Sequence, residues 1–120
     1  NDMSVAILDK LYEAVNNRDL EAYLGSFTPD AEYQAANIPA VYGTKAIQEF
    51  GANMIPHFTK VLHNVRQAWQ KGDTVVCELD LEYHRKDGKV VSVPCLNIIR
   101  LKDGKVKSLR AYLDATPAFM

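Results

Sequence analysis

The sequence predicts an α+β domain, with three helices in the first half of the chain and a curved, mostly antiparallel sheet in the second. Apolar residues recur at intervals of three and four positions before residue 56, which is the period of helices packed on one side. After residue 59 the apolar segments become extended and are separated by three tight-turn signals, Lys71-Gly72-Asp73, Lys86-Asp87-Gly88 and Lys102-Asp103-Gly104. This order places the helices together on one face of the sheet.

Length and composition limit the class of protein. A chain of 120 residues can bury one hydrophobic core, so residues 1–120 are expected to form a single domain. The formal net charge of -1 provides no basic excess for neutralising phosphates, and nucleic acid is not expected as a partner. No apolar run approaches the roughly 20 residues that span a bilayer, and no leader pattern opens the chain. We therefore expect no membrane partner and a cytoplasmic location.

The predicted helices begin at capping residues and end at residues that break helices. Ser4 is expected to cap a first helix that ends near residues 16–18 and buries Val5, Leu8, Leu11, Tyr12 and Val15. Asp19 is expected to cap a second, shorter helix, which ends at Gly25. Thr44 opens a third helix, which Pro56 stops and whose buried side consists of Ile47, Phe50, Met54 and Ile55.

One short strand and four long strands complete the predicted domain. The short strand covers Ala31–Gln34, and the long ones cover Lys60–Gln70, Thr74–Arg85, Lys89–Leu101 and Val106–Leu113. Residues 90–100 are apolar at both even and odd positions. Because alternate side chains of a strand face opposite sides of a sheet, one face carries Val91, Val93, Cys95 and Ile99, and the other carries Val90, Leu96 and Ile98.

Both faces of this strand must therefore be covered. The helices can cover one face, and a second copy of the chain is the simplest cover for the other, so we predict a homodimer through the outer face of the sheet. Asn97 interrupts the apolar run on the face of Val93 and Cys95. It is either a hydrogen-bonded core residue or a polar group that faces a pocket. Cys77 and Cys95 are expected to be buried thiols, with a disulfide as the alternative.

Three segments carry a resemblance to a known superfamily: NNRDLEAYLGSFTPDAEY after the first helix, YQAANIPAVYGTKAI around the short strand, and KVKSLRAYLD in the last strand. In these segments and in the order of its elements, the chain resembles the cone-shaped α+β superfamily. That superfamily contains nuclear transport factor 2, ketosteroid isomerase, SnoaL-like polyketide cyclases and limonene epoxide hydrolase. The resemblance implies a cystatin-like cone that encloses a pocket. It implies the fold more specifically than the reaction, because members place different residues in one cavity.

Comparison with ketosteroid isomerase leaves its catalytic positions mostly unfilled. Its base falls on Ala35, and the Tyr and Asp of its oxyanion hole fall on Leu11 and Asn97. Tyr12 is adjacent to Leu11, but a step of about 100° around a helix should point it elsewhere. Asn97 can donate a hydrogen bond as the protonated Asp does, yet no base accompanies it.

Comparison with limonene epoxide hydrolase gives a similar result. Asp80 and Tyr33 fall on an Asp and the Tyr that hold its water, whereas Glu78 replaces its Arg. Its second Asp and its Asn fall on Ala111 and Ala35. Without an Arg between two carboxylates, water activation in that manner is not expected.

Asp80 lies in a strand whose alternation has two interpretations. One side carries Val75, Cys77, Leu79, Leu81 and Tyr83, and the other carries Glu78, Asp80, Glu82 and His84. If the apolar side packs under the helices, Asp80 is a solvated residue on the outer face. If the comparison with the epoxide hydrolase holds, Asp80 and Glu78 face inward, where paired carboxylates raise each other's pKa and suit acid/base chemistry.

We therefore predict a pocket that binds a small, mostly apolar compound. If the protein is an enzyme, cofactor-free acid/base chemistry of the isomerase, cyclase or hydrolase type is expected, with Asp80 as proton acceptor and Asn97 and Tyr33 polarising a carbonyl or hydroxyl group. The expected lining comprises Leu11, Ile47, Phe50, Met54, Glu78, Val93, Cys95, Ala111 and Leu113. No cofactor is expected, and no metal site is expected from the scattered His57, His63 and His84. The alternative is a non-catalytic ligand-binding or dimerisation module.

Overall fold

The computed structural model describes residues 5–120, and its first three helices agree closely with those predicted. The helices are α1 (Ala6–Asn16), α2 (Leu20–Leu24), α3 (Thr44–Met54) with a following 3-10 turn (Ile55–His57), and α4 (Thr116–Phe119). The predicted Ser4 cap lies outside the described residues. The Asp19 cap is confirmed, since its Oδ1 accepts a hydrogen bond from the backbone N–H of Ala22 at 3.1 Å.

The strands of residues 5–120 form a single curved sheet. They are β1 (Phe27–Ala35), β2 (Val41–Tyr42), β3 (Phe58–Lys71), β4 (Thr74–Arg85), β5 (Val90–Lys102) and β6 (Lys105–Leu113). Their order is β2-β1-β6-β5-β4-β3, and every neighbouring pair is antiparallel except the parallel pair of β1 and β6. The predicted α+β class, with helices before a mostly antiparallel sheet, is therefore confirmed.

Three elements differ from the prediction for local reasons. Strand β1 begins at Phe27 rather than Ala31, although Pro29 lies within it. Proline has no N–H to donate, and β1 accommodates it through a shift of its register with β6 between Phe27 and Glu32. Strand β2 and helix α4 were not predicted, because elements of two and four residues are too short to show a period.

Strand β5 lies between β4 and β6 and has the two-faced pattern that the sequence predicts. Its inner face is buried at Val93, Cys95, Asn97 and Ile99, where it packs under α1 in one hydrophobic core with Leu8, Leu11 and Tyr12. On the outer face, Val90 and Leu96 are exposed. One side of the strand is thus covered by helices, and the other is open in the single chain.

The alternation of β4 places Asp80 and Glu78 on the outer face. Val75, Cys77, Leu79, Leu81 and Tyr83 are all buried on the inner face. The Asp80 Oδ2 atom lies 2.6 Å from Arg66 Nε, and that arginine side chain is 63% exposed. The interpretation of both carboxylates as parts of a pocket wall is therefore wrong. Burying them would leave two charges without a partner, whereas the inner face receives five apolar or aromatic side chains.

The two faces of β4 predict different effects on stability for neighbouring residues. We expect Leu79→Ala to lower the free energy of unfolding by about 3 kcal/mol, because a fully buried leucine leaves a cavity when truncated. Asp80→Ala should lower it by less than about 1 kcal/mol, because an exposed ion pair contributes little. Urea unfolding of the two variants beside the wild type measures both values. Equal losses would contradict the assignment of faces.

Candidate functional site

A cavity of about 400 Å³ lies between the inner face of the sheet and the helices. Its walls are mostly apolar, and the aromatic rings among them are Tyr12, Tyr23, Tyr33, Phe50, Phe58, Tyr83 and Phe119. We call the exposed end the cavity mouth; it is formed by Leu20, Ile38, Ile55 and Phe119, which are between 41% and 50% exposed. A concave, apolar space of this size is typical of a small-molecule site.

A hydrogen-bonded pair of polar side chains forms part of the buried end of the cavity. The Asn97 Nδ2 atom donates to the Tyr12 hydroxyl oxygen at 2.6 Å, and the Cys95 thiol donates to Asn97 Oδ1 at 3.3 Å. All three residues are buried, and all three belong to the cavity wall. Asn97 is therefore both a satisfied core amide and a polar group at the pocket, so the two interpretations of this residue hold together.

Tyr12 does not point away from the cavity, contrary to the expectation from its position after Leu11. The buried side of α1 is a broad arc that includes Ile7, Leu8, Leu11, Tyr12 and Ala14, so two successive residues both face the sheet. The longer tyrosine side chain then reaches β5. The rotation of about 100° per residue keeps two successive residues from facing the same cavity only when the buried side of the helix is narrow.

His63, on β3, is a residue of the cavity wall that sequence reasoning missed. Its ring stacks on the Tyr12 ring with centroids 4.8 Å apart, and its backbone N–H donates to Asn16 Oδ1 at 2.9 Å. Burial lowers the pKa of His63 to about 4, so the imidazole is neutral at neutral pH. Its buried Nδ1 atom has no hydrogen-bond partner among the described residues. A buried polar atom in that state is a natural site for a water or a polar ligand atom.

The strand pattern contained a signal for His63. It lies two residues from Val61 and from Val65 along β3, on the parity of the inward-facing apolar residues. A histidine on the apolar parity of a strand indicates either a core residue or a pocket residue.

Tyr33 lies in the cavity wall as a protonated phenol. Its ring contacts Phe50 at 5.2 Å and Phe27 at 6.5 Å between centroids. Burial raises the pKa of Tyr33 to about 12, against a smaller lowering by a hydrogen bond with Tyr23. Its hydroxyl can therefore donate a hydrogen bond to a ligand but does not ionise near neutral pH.

The structure brings most of the predicted site residues together. Those found in the wall beside Tyr33 and Asn97 are Leu11, Ile47, Phe50, Met54, Cys95, Ala111 and Leu113. Val93 does not line the cavity, because it is buried in the hydrophobic core instead. Glu78 and Asp80 are on the opposite face of the sheet. The catalytic roles assigned to Asn97 and Tyr33 stay predictions.

Cys77 and Cys95 are buried free thiols, as expected. Burial raises the pKa of Cys77 to about 11 and that of Cys95 to about 12. Both thiols are therefore protonated near neutral pH, where they act as small apolar groups and weak donors rather than as nucleophiles.

Full charges occur in the wall of the cavity only near its mouth. Of the described residues that line it, Arg18 and Asp19 are the two that are charged at neutral pH. Both are exposed, and both already have partners. The Arg18 guanidinium donates to the backbone carbonyls of Phe58 and Thr59, and Asp19 caps α2. Ala35 and Ala111, which match catalytic positions of relatives, leave the wall without a carboxylate at those points.

A second depression, of about 410 Å³, is an open and polar surface on the outer face of the sheet. Its members include Glu32, Ser108 and Arg110, which are bonded to one another. The Arg110 Nη2 and Ser108 Oγ atoms donate to the Glu32 carboxylate at 2.8 and 2.9 Å. These bonds hold the pKa of Glu32 below its ordinary value. Since its carboxylate is already bonded to Arg110 and Ser108, this surface is a weaker candidate than the enclosed cavity.

Comparison with known proteins identifies the family. A SnoaL-like domain model matches residues 8–109, which is most of the chain. The chain belongs to the SnoaL-like domain family. No curated protein matches the sequence significantly.

Solved structures share the fold of this SnoaL-like domain at low sequence identity. A protein assigned as a SnoaL-like polyketide cyclase from Jannaschia is 20% identical with a TM-score of 0.82, covering 99% of this chain and 94% of its own. A protein with a ketosteroid isomerase-like fold from Catenulispora acidiphila is 21% identical with a TM-score of 0.83, covering 91% and 85%. An LEH-like epoxide hydrolase of M. tuberculosis is 15% identical with a TM-score of 0.80, covering 94% and 84%.

The likeness to these structures shows the fold alone and confirms the resemblance stated from the sequence. None of the helices in residues 5–120 of the SnoaL-like domain has the length and hydropathy that a membrane-spanning helix requires.

The low pKa of His63 predicts a specific loss of stability in acid. Between about pH 6.5 and pH 4 the unfolded state binds a proton on this histidine and the folded state does not, so the free energy of unfolding falls as the pH falls. At about pH 4.5 the loss from this residue is on the order of 2 to 3 kcal/mol.

Urea unfolding at about pH 7 and about pH 4.5 measures the effect. His63→Gln should lose less stability than the wild type between these two pH values. The exposed His57, changed to Gln, is the matched control and should follow the wild type. Equal pH dependence in His63→Gln and wild type would contradict the burial of a neutral imidazole.

Proposed function

We propose that this SnoaL-like domain binds a small, mostly apolar molecule in the cavity and performs cofactor-free acid/base chemistry on it. The observation that carries the proposal is the buried end of the cavity. There the Tyr12 and Asn97 pair and the neutral ring of His63 meet inside otherwise apolar walls. Apolar walls supply affinity, and a few convergent polar groups fix the orientation of a ligand.

The named activities of structural neighbours agree with a small organic substrate. One neighbour is assigned as a polyketide cyclase and another is an LEH-like epoxide hydrolase. Because their identity to this chain is 20% or less, they support the class of ligand and not a particular reaction.

The outer position of Asp80 changes the proton acceptor of the proposed chemistry. His63 is the residue of the cavity wall with a basic nitrogen, and its imidazole is free of a proton at neutral pH. A base with a pKa of about 4 is weak, so it suits a substrate whose hydroxyl proton is itself strongly acidic, such as an electron-poor phenol or the enol of a cyclic 1,3-diketone. Tyr12 and Tyr33 are protonated and can donate to the oxygen of that substrate, while Asn97 positions Tyr12.

A non-catalytic ligand-binding module is the second candidate. It is favoured by Ala35 and Ala111 in the cavity wall and by the lack of a carboxylate at the buried end among the described residues. Both candidates require the cavity to bind a ligand, and turnover separates them.

A binding and turnover screen with small apolar phenols and dicarbonyl compounds tests the proposal. Ala111→Phe places a ring inside the cavity and should abolish ligand binding, whereas Ala52→Phe, at an exposed position of α3, should not. Binding that persists in Ala111→Phe would contradict the cavity as the site. If the protein is an enzyme, His63→Gln should lower kcat by at least about tenfold with binding retained. Binding without turnover by the wild type would favour the non-catalytic module.

We also propose that two copies of the chain form a homodimer through the outer faces of their sheets. Five apolar residues of this face are neighbours in register across β3, β4, β5 and β6, and we call them the outer apolar patch: Trp69, Val76, Leu96, Ile98 and Tyr112. Trp69 is 47% and Tyr112 is 52% exposed in the single chain. Contiguous apolar residues of this kind mark protein interfaces.

Charge around the outer apolar patch favours a second copy as its partner. Acidic side chains lie on β4 at Glu78 and Asp80, and basic side chains lie on β5 and β6 at Arg100 and Arg110. Asp80 and Arg110 already pair with Arg66 and Glu32 of the same chain. A two-fold axis parallel to the strands would bring Glu78 of one copy toward Arg100 of the other, since such an interface uses the same surface twice.

Sedimentation analysis tests the dimer. The wild type, with a chain mass of 13.5 kDa, should sediment as a dimer, and Leu96→Glu should sediment as a monomer because it places a carboxylate in the outer apolar patch. Ile38→Glu is the matched control, since Ile38 is equally apolar and exposed but lies at the cavity mouth. A monomeric wild type would overturn this part of the proposal.

A further inference from the structure

The distribution of polarity in the cavity is the reverse of that of an ordinary surface cleft. The side chains that form its exposed end, the cavity mouth, are apolar, and the charged Arg18 and Asp19 near them are already bonded to backbone groups. A hydrogen-bonded set of polar side chains, Tyr12, Asn97 and Cys95, is at the buried end. A ligand that satisfies both ends must carry its polar group inward and leave its apolar part at the mouth.

We infer that the cavity selects a neutral compound with a hydrogen-bond-accepting oxygen at one end, held by the Tyr12 hydroxyl, and excludes the carboxylate and ammonium analogues of that compound. This inference deepens the proposed function and rests on it, because it names the chemical class of the ligand of the same cavity.

The direction of the hydrogen bonds makes Tyr12 a donor toward the ligand. Asn97 has both ends of its amide engaged, since Nδ2 donates to Tyr12 and Oδ1 accepts from the Cys95 thiol. The Tyr12 oxygen is therefore an acceptor of the Asn97 bond, and its own proton is left to donate. The nearby Cys77 sulfur can receive that proton, but sulfur is a weak acceptor, and a carbonyl or hydroxyl oxygen competes well against it. Asn97 acts as a positioning residue.

The absence of charge at the buried end excludes ionised ligands. Of the described residues that line the cavity, the charged Arg18 and Asp19 lie near its mouth and are already bonded to the backbone. A carboxylate or ammonium group placed against Tyr12 would leave water without meeting an opposite charge. A buried and unpaired charge is far more costly than a buried carbonyl that accepts one hydrogen bond.

Four naphthalene probes of similar size, substituted at the same ring position, test this inference by calorimetry at neutral pH: acetonaphthone, isopropenylnaphthalene, naphthoate and 1-(naphthyl)ethylammonium. Acetonaphthone should bind at least about 30-fold more tightly than either ion, as expected when an ion loses its hydration without a partner. Tyr12→Phe should weaken acetonaphthone about fivefold and leave isopropenylnaphthalene unchanged. Tyr42→Phe, which removes an exposed hydroxyl outside the cavity, is the control and should change neither.

The outcomes separate the inference from the proposed function on which it rests. Naphthoate that binds within about threefold of acetonaphthone would overturn the selection for neutral ligands while leaving the cavity a ligand site. An equal loss for acetonaphthone and isopropenylnaphthalene in Tyr12→Phe would overturn the role of Tyr12 as donor. If even the hydrocarbon does not bind the wild type, the proposed function is wrong and this inference with it. Should Tyr12→Phe fail to fold, the ratio of acetonaphthone to naphthoate on the wild type still decides.

Discussion

The hydrogen bond from Asn97 to Tyr12 is the constraint on which the arrangement of the cavity depends. It joins β5, near the middle of the sheet, to α1, the first helix of the chain. Each partner is buried, and either one alone would be an unsatisfied polar group in an apolar interior. The pair therefore fixes the distance between helix and sheet at the buried end. Polar side chains there meet each other, and the space beside them stays open instead of being filled by apolar packing.

Charge in this domain is separated by the sheet. The outer face carries ion pairs such as Arg66 with Asp80 and Arg110 with Glu32, whereas the cavity wall away from its mouth contains phenols, an amide, a thiol and a neutral imidazole. Burial raises the pKa of the tyrosines and cysteines and lowers the pKa of His63, so each of these groups is neutral at neutral pH. A site of this kind acts through hydrogen bonds and shape rather than through fixed charges. The SnoaL-like fold can thus hold a cavity that has no carboxylate at its buried end among the described residues.

The features that follow from the alternation of residues along a strand could be predicted from sequence. The features that depend on how far a side chain extends between packed elements could not. Two-residue alternation gave the correct faces of β5 and, on its own, the correct outer position of Asp80. The comparison with the epoxide hydrolase favoured the opposite face for Asp80, and there the local pattern of the strand was the better guide. Tyr12 was assigned to the wrong direction because the width of the buried side of α1 is set by packing, which no single helix reveals.

His63 and the short elements were missed for related reasons. A single histidine becomes informative only when the strand that carries it is known to face a cavity, and that depends on how the sheet curves around the helices. Helix α4 contributes Phe119 to the cavity mouth, but its four residues carry no period.

The parallel pairing of β1 with β6 has a consequence for how the chain reaches this structure. Phe27 is aligned with Val106 and Ala35 with Ala111, so β1 is joined to the rest of the sheet only through a segment near the end of the sequence. The β3 to β6 meander can form from neighbours in sequence, whereas β1 and β2 join only when β6 is in place. Closure of such distant contacts is slow because the loop entropy is lost before the contact is gained. During synthesis, the first helices therefore leave the ribosome well before the strands on which they will pack.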